Sequence, residues 1–529
     1  MKNIRLTNII ICFFAIAAGL SSCSDDWLDT RPKDMIVYED FWKTREDLND
    51  AIAGCYRSAI DDWKVDNPTW YKGAVGLMIL WGELRADNLT TGGGITTDES
   101  RVMTCNISYS NRLASWSPIY TVINNCNIFL DNADLVLNHV EDMSQAEVDA
   151  YKAEALALRS LMYFYLVRTY KEVPLRLKGF RTNDDETDVP KVSEASVITQ
   201  LITDLEWAYD KAYNSYDNNS SYDYDKGRFT KTSVAALQAD VYLWAEMYPE
   251  CEEACNRVLA NKTIKLYNSS LDHWIFPVFK TGNSTESIFE FQYGSSSEGK
   301  VNNVLFESYG SNRRTEHFRA PLEDNTGWSL NAIFTINEAV DDADIRQLYS
   351  YSSSLSSVTG SASINKFVSS ETTRANWVLY RLPEIYFMKA EALVMQNFDE
   401  NKEEALELVN KIFMRSHPTF LEIQKLKIEN YNTQQSFLDL ILLEKQKEFL
   451  FEGKRWFDLL RTSRRDANPM RVFNDFVLRN IPIEYRSLAE SKFKSEWARY
   501  MPIPEEEMKT NTKMIQNPFY ETSSTIVIN

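Results

Sequence analysis

The alternation of apolar and polar positions is helical over much of the chain and irregular over the rest. The clearest helix opens at Ser144-Gln145-Ala146-Glu147, where a serine followed three residues later by a glutamate predicts a reciprocal capping box. Leu156, Ser160, Leu161, Phe164 and Tyr165 then recur at three- and four-residue spacing. This helix should run to about Tyr170, with Pro174 blocking continuation beyond it. A second stretch is predicted from Thr232 to Met247, broken at Pro249 and resumed from Cys251 to Leu259, which makes a helical hairpin. A third runs from Pro383 through Leu393 and is followed, after a short loop, by Glu403 to Ile412. Ala235, Ala236 and Ala239 in one pair, and Ala390 and Ala392 in the other, let a neighbouring helix approach closely. Both pairs read as irregular tetratricopeptide-like (TPR-like) units, although the full repeat consensus is missing.

Between the helical regions lie Ser/Asn/Tyr/Gly-rich segments, at Asn214 to Gly227, Ser284 to Arg314 and Tyr349 to Ser370. They predict long loops and short strands, and Ser287 to Tyr293 alternates apolar with polar residues as one strand of a small sheet would. The expected fold class is mainly α: paired helices as a scaffold, plus long loops and a few short strands. Loops this long in a compact protein usually carry function, so the interaction surface is expected there and beside the Gly92-Gly93-Gly94 turn.

The amino terminus adds a location. Lys2 and Arg5 precede an uncharged apolar run from Leu6 to Ala18, then Leu20-Ser21-Ser22-Cys23, the pattern of a secretory signal peptide. The run falls short of the ~20 apolar residues that span a bilayer, so no transmembrane anchor is implied. Small residues directly before a cysteine resemble the bacterial lipobox, in which the cysteine is acylated and begins the mature chain; Ser22 stands where Gly or Ala is usual. Residues 1–22 are therefore read as a lipoprotein leader and Cys23 as a lipid anchor, palmitate included, on the cell outer membrane.

The formal charge is -19, and loss of Lys2 and Arg5 makes the mature chain -19 - 2 = -21. Such a field opposes polyanions, so nucleic acid is not an expected partner. Of 7 cysteines, Cys12 leaves with the leader and Cys23 is acylated, and 7 - 2 = 5 remain without regular spacing. They read as small buried residues rather than a disulfide framework.

Reactive motifs fail on inspection. Gly294 to Lys300 has the glycine and lysine spacing of a phosphate-binding loop, but Val301 replaces the Ser/Thr that would hold magnesium and Glu298 adds negative charge. His139, His273, His317 and His417 are scattered, and Cys251 and Cys255 supply only two ligands at i, i+4, so no metal and no cofactor are expected. There is no GxSxG elbow. Glu444, Glu448 and Glu452 lie four apart, as on one helical face, and would repel unless met by partners such as Arg455, Arg461 or Arg381. Phe449, Trp456 and Phe457 around them signal a core, so a buried ion-pair network is expected rather than a catalytic row.

Several segments together resemble the SusD/RagB family of surface nutrient-binding lipoproteins. They are Cys23 to Pro32, Trp81-Gly82-Glu83-Leu84-Arg85-Ala86-Asp87, Ala153 to Tyr170, Tyr380 to Tyr386 with Ala390-Glu391-Ala392, and, most specifically, Glu444 to Arg461. Near the end come Met501-Pro502-Ile503-Pro504 and Gln516-Asn517-Pro518-Phe519-Tyr520, where Phe519 replaces the family's usual glycine. The resemblance implies a SusD-like fold for 23–529 as a single domain, with an N-terminal part at about 23–230 and a C-terminal SusD/RagB part at about 231–529. It also implies four TPR-like helix pairs, an irregular half carrying the ligand site, no catalysis, and a SusC-like TonB-dependent transporter as partner.

Sugar capture needs aromatic faces for the C–H side of a pyranose and amides or charged groups for its hydroxyls. Trp70, Tyr71, Arg85, Asp87, Asn88, Tyr293, Tyr309 and Trp328 are the candidate ligand contacts, chosen by their place in the polar loops. The expected function is capture of an oligosaccharide for uptake, part of polysaccharide utilization. A peptide-binding RagB-type lipoprotein is the first alternative and a surface glycoside hydrolase the second.

Overall fold

The computed structural model describes residues 41–61, 63–64, 70–71, 73–181, 187–216, 222–267, 274–294, 302–310, 316–322, 328–334, 344–352, 360–367 and 375–521. The leader, Cys23, His273 and 295–301 of the glycine-rich segment lie outside them.

Most long helices begin at a side chain that satisfies an otherwise unpaired amide. Thr44 caps α1 (Arg45–Ile60) in a complete capping box with Asp47, and Thr433 and Asn397 cap two later helices. Ser144 accepts the Glu147 amide to start α4 (Gln145–Tyr170), which ends where expected. The reciprocal half of the predicted box is not made, because the Glu147 carboxylate turns instead to Arg45 at 2.7 Å. The other helices used below are α2 (Ala74–Glu83), α3 (Ser117–Asn132), α5 (Glu194–Lys211), α6 (Lys231–Trp244), α7 (Tyr248–Ala260), α8 (Leu382–Gln396), α9 (Phe398–Ser416), α10 (Gln434–Glu448) and α11 (Arg455–Arg465). Pro249 does not break the α6/α7 hairpin. It sits in the first turn of α7, where its missing N–H costs nothing, and the chain turns at Ala245–Met247.

Neighbouring helices pack in sequence, α3 on α4, α4 on α5, α5 on α6, α6 on α7, α7 on α8 and α8 on α9, so the scaffold is a ladder of paired helices. Ala235, Ala236 and Ala239 are fully buried at its centre, as close approach requires. Helix makes up 63% and strand 6% of the structure, so the chain is mainly α. Among the described residues no helix is long and apolar enough to cross a membrane. Cys55, Cys105, Cys126, Cys251 and Cys255 are all buried and free, so they serve as small apolar side chains.

The irregular stretch between α7 and α8 is closed at its base by an antiparallel pair, β6 (Ser287–Phe291) with β9 (Trp377–Arg381). All five residues of β6 are buried, polar ones included, so the alternation in sequence does not mark a wet face. Glu290 instead accepts from the Asn283 amide at 2.9 Å and from Asn376 at 2.8 Å. Asn376 also receives the Tyr293 amide at 2.8 Å, which fixes where the excursion leaves the scaffold and where it returns. Two short strands, β7 (Phe318–Pro321) and β8 (Ser361–Ala362), join β3 (Thr90–Thr91) in a three-stranded sheet beside the Gly92 turn.

The glutamate row resolves into a buried charge network. Glu444 and Glu448 lie on α10, but Glu452 lies past its end, where Phe451 and Gly453 adopt φ of 68° and 75°. Arg381, at the end of β9, bridges Glu448, Glu452 (2.7 Å) and Glu286 (2.9 Å), and Arg415 of α9 bridges Glu286 (3.0 Å) and Glu448. Lys366 reaches Glu452 at 2.6 Å, and Arg346 joins Asp344 (2.6 Å) to Glu444 (2.9 Å). Arg381 is thus the partner expected for the row. Arg455 and Arg461 point elsewhere, to Asp87 and Glu391, because α11 leaves the turn in a different direction.

Burial pushes the Glu444 carboxyl up, but Arg346 and Lys447 outweigh it and hold the group down at about 2. A carboxyl depressed in the folded state contributes stability above its unfolded pKa and loses it as pH falls through the folded value. We expect stability to drop between about pH 4.5 and pH 2, by about 3 kcal/mol for a depression of this size. Denaturant titrations across that window should show a shallower decline for Glu444→Gln than for wild type; identical slopes would deny Glu444 this role.

Candidate ligand-binding site

The Trp70/Tyr71 segment forms a hairpin, with β1 (Trp63–Lys64) pairing antiparallel to β2 (Trp70–Tyr71) and Trp63 opposite Tyr71. Its side chains lie outside the described residues. The base of the hairpin is placed by one glycine: a Cβ on Gly73 would sit 2.3 Å from the Asp61 carbonyl oxygen, so only glycine lets the returning strand lie against the end of α1.

Directly beside that base is an open cleft of about 560 Å³, within the usual range for small-molecule sites. Ile52, Tyr56 and Ile60 of α1 and Phe291 of β6 supply apolar walls, while Asn49, Arg57, Arg228 and Gln292 supply polar edges. Ile60 lines the cleft three residues before Trp63, and Gln292, another lining residue, immediately precedes Tyr293 in the chain. The walls are rigid. The Tyr56 hydroxyl donates to Glu154 at 3.0 Å and accepts the Phe229 amide at 2.9 Å, and Arg228 grips Glu154 through Nε (2.8 Å) and Nη2 (2.6 Å). Gly227 allows the close approach of Gln292, whose Cγ would be 2.7 Å from an added Cβ.

The other candidates gather elsewhere, in a buried polar hub behind the three-stranded sheet. Asp87 is completely buried and receives Arg455 Nε at 2.9 Å and the Arg479 guanidinium. Burial pushes its carboxyl up, but the two guanidinium groups prevail and hold it at about 2. Asn88 is the middle of a directed relay: Arg455 donates to Gln446 (2.9 Å), Gln446 to Asn88 (3.0 Å) and Asn88 to Glu83 (3.2 Å). The guanidinium can only donate, so the Arg455 end sets the orientation of Gln446 and, through it, of Asn88. Burial pushes the Glu83 carboxyl at the other end up to about 8. Arg85 is buried with Nη1 on the Arg499 carbonyl at 2.7 Å and its guanidinium 4.1 Å above Trp456. Tyr309 is fully buried, stacked on Phe367.

Arg85, Asp87, Asn88 and Tyr309 are thus buried among the protein's own groups, away from the α1 cleft. Their segment reads as a polar loop because its partners, 368 residues away for Asp87 and Arg455, are invisible along the chain. Trp328 is half-buried. Its indole N–H donates to the Asp87 carbonyl at 3.1 Å and the Arg479 guanidinium lies 3.4 Å over its ring. Tyr293 is half-buried and packs against the core, next in the chain to the cleft residue Gln292. Tyr56, Arg228 and Gln292, which carry the cleft, were missed; Gly227 beside Arg228 was the one local signal of a close approach.

A second cleft of about 490 Å³ runs between α3 and residues 174–187, with Tyr120 and Phe180 among its walls. Its asparagines are committed to the chain itself, Asn124 to both the amide and carbonyl of Phe180 and Asn127 to the carbonyls of Arg176 and Lys178. Gln292 of the α1 cleft is likewise engaged, by Asn283 and Asn376, but exposed Asn49 and Arg57 remain at its edge, so this cleft is the better candidate.

A helical scaffold with an irregular, loop-bearing half and a rigid aromatic cleft defines a binding protein. Two family models match, "SusD family" over residues 345–520 and "Starch-binding associating with outer membrane" over residues 26–243. The chain belongs to the SusD/RagB family of SusD-like proteins. Members of this family are binding proteins rather than enzymes, and its description ties it to glycans and the outer membrane. Among curated relatives, SusD-like protein P38 of Formosa agariphila is 25% identical over 88% of this chain and 92% of that protein, and SusD-like protein P25 of the same organism is 20% identical over 97% and 98%. A SusD superfamily crystal structure from Bacteroides thetaiotaomicron superposes with a TM-score of 0.69 at 19% identity, covering 89% of this chain and 99% of that one. One from Bacteroides vulgatus gives 0.69 at 19% identity, covering 90% and 100%. These structural likenesses establish the fold.

Hub and cleft separate by mutation. Asp87→Ala leaves two buried guanidinium groups without their anion and should cost about 3–5 kcal/mol in denaturant unfolding. Tyr293→Ala, at a half-exposed position, should cost about 1 kcal/mol or less. Equal losses would show that the two positions do not divide this way.

Proposed function

We propose that this chain is a cell-surface lipoprotein that captures an oligosaccharide and delivers it to a SusC-like TonB-dependent transporter in the outer membrane. The observation that carries the reading is the cleft at the end of α1, where apolar and aromatic walls meet amide and guanidinium edges. Rings offer a pyranose a flat apolar surface at little entropic cost, and exposed edge groups such as Asn49 and Arg57 can pair with its hydroxyls. Tyr293, Trp70 and Tyr71 are the contacts we assign to the cleft, and the half-buried Trp328 is the contact we assign to a longer chain. Stacking and wet hydrogen bonds predict affinities on the order of micromolar to millimolar. The family's ties to starch and to the outer membrane support both ligand class and location.

A glycan array on the soluble form lacking Met1 to Cys23 should identify a bound oligosaccharide. Calorimetry with the strongest hit should then show about tenfold weaker binding, ~1.4 kcal/mol, for Tyr293→Ala and for Trp70→Ala, with melting temperatures unchanged. Silence across the array with binding of extended peptides would replace the glycan reading with the peptide one, and release of reducing sugar would replace it with a hydrolase.

The anchor has its own test. Metabolic labelling with a radioactive fatty acid should mark the wild-type protein and leave Cys23→Ala unmarked. Equal labelling of both, or of neither, would remove the lipid anchor at this position.

A further inference from the structure

Most of the deeply buried cations among the described residues come with acids; Lys226 and Arg499 instead bond to backbone carbonyls. Arg346, Arg381, Arg455 and Arg461 each contact at least one carboxylate, as does Lys366. Arg85 differs. It is 2% exposed, and no carboxylate pairs with it among the described residues. Its Nη1 is used by the Arg499 carbonyl, and Trp456 covers one face of the guanidinium. Nε and Nη2 are shielded from solvent and have no hydrogen-bond partner.

Those two nitrogens are not a random pair. In a planar guanidinium the N–H bonds of Nε and Nη2 lie side by side along one edge and point the same way, which is the edge that grips an anion in two-pronged fashion. The groups that influence its charge are Tyr520, Cys105, Tyr170 and Tyr500. None supplies a negative charge at neutral pH: burial pushes the Cys105 thiol up to about 12, and the Tyr520 and Tyr170 hydroxyls donate to the carbonyls of Tyr500 and Ala114. Burial lowers Arg85 itself only to about 10, so it stays protonated at neutral pH. A full positive charge thus sits inside the protein with half of its fork unused. An unpaired buried ion is strongly unfavourable. A water molecule would occupy the donors but leave the charge uncompensated.

We propose that the Nε/Nη2 edge of Arg85 holds a monovalent anion of chloride size, a structural site independent of the glycan cleft. A single small ion suits a buried edge that offers only two adjacent donors, where a multi-oxygen anion would need more. The bound ion fastens the turn after α2 to the 493–500 segment that supplies the Arg499 carbonyl, and the same turn carries Asp87 and Asn88 into the polar hub.

The test uses the full mature chain in sodium chloride, sodium bromide or sodium gluconate at matched ionic strength. The melting temperature should rise on the order of 1 °C per tenfold increase in chloride or bromide once the site is filling, and not in gluconate. Arg85→Met should lose that halide-specific increment. Because this variant can fail to fold, crystals of the wild-type protein soaked in bromide give a second readout, an anomalous peak within hydrogen-bonding reach of both Nε and Nη2. Identical melting in chloride and gluconate, or an ordered water at Arg85 with no bromide signal, overturns the proposal.

Discussion

The contact between Arg381 and the carboxylates around it is the constraint on which the rest of the structure depends. One guanidinium at the end of β9 touches Glu286, Glu448 and Glu452, which come from the base of β6, the end of α10 and the turn that follows it. Burying this much charge is not in itself stabilising, since desolvation offsets most of the attraction. Its value is specificity. Only one arrangement of strand, helix and turn gives every charge a partner, and any slip leaves an ion bare inside the protein.

The same network reaches into the irregular half. Asp344, Arg346 and Lys366 belong to its loop-rich stretch, and all three are tied to α10 or the turn beyond it. Long loops would otherwise pay a large entropic penalty to hold a fixed position. Here they are fastened at a few buried ionic points and by the β6/β9 ladder, so the surface between those points is free to vary in sequence.

Close backbone contact explains why two motifs far apart in sequence read as a pair. A Cβ on Gly82 would lie 1.8 Å from the Gly453 carbonyl oxygen, and Gly453 adopts φ of 75°. The α2 helix therefore rests on the turn after α10, and the Glu83 carboxylate accepts the Gly453 amide at 2.9 Å. From that junction the hub spreads through Asn88, Gln446, Arg455 and Asp87, so its polar residues hold the two halves of the chain together.

Periodicity, caps and glycines were sufficient to determine the helical scaffold, because they act within a few residues: the spacing from Leu156 to Tyr165 marks α4, and the small residues of α6 mark a close helix contact. A glutamate row beside Phe449 and Trp456 was also enough to announce a buried ion network with Arg381 in it. Tertiary structure alone decided which charges meet and which rings stay open. Arg455 could have faced Glu452 or Asp87, and Tyr309 could have faced solvent or Phe367. Those choices depend on how segments hundreds of residues apart pack, and packing leaves no local trace in the order of the amino acids.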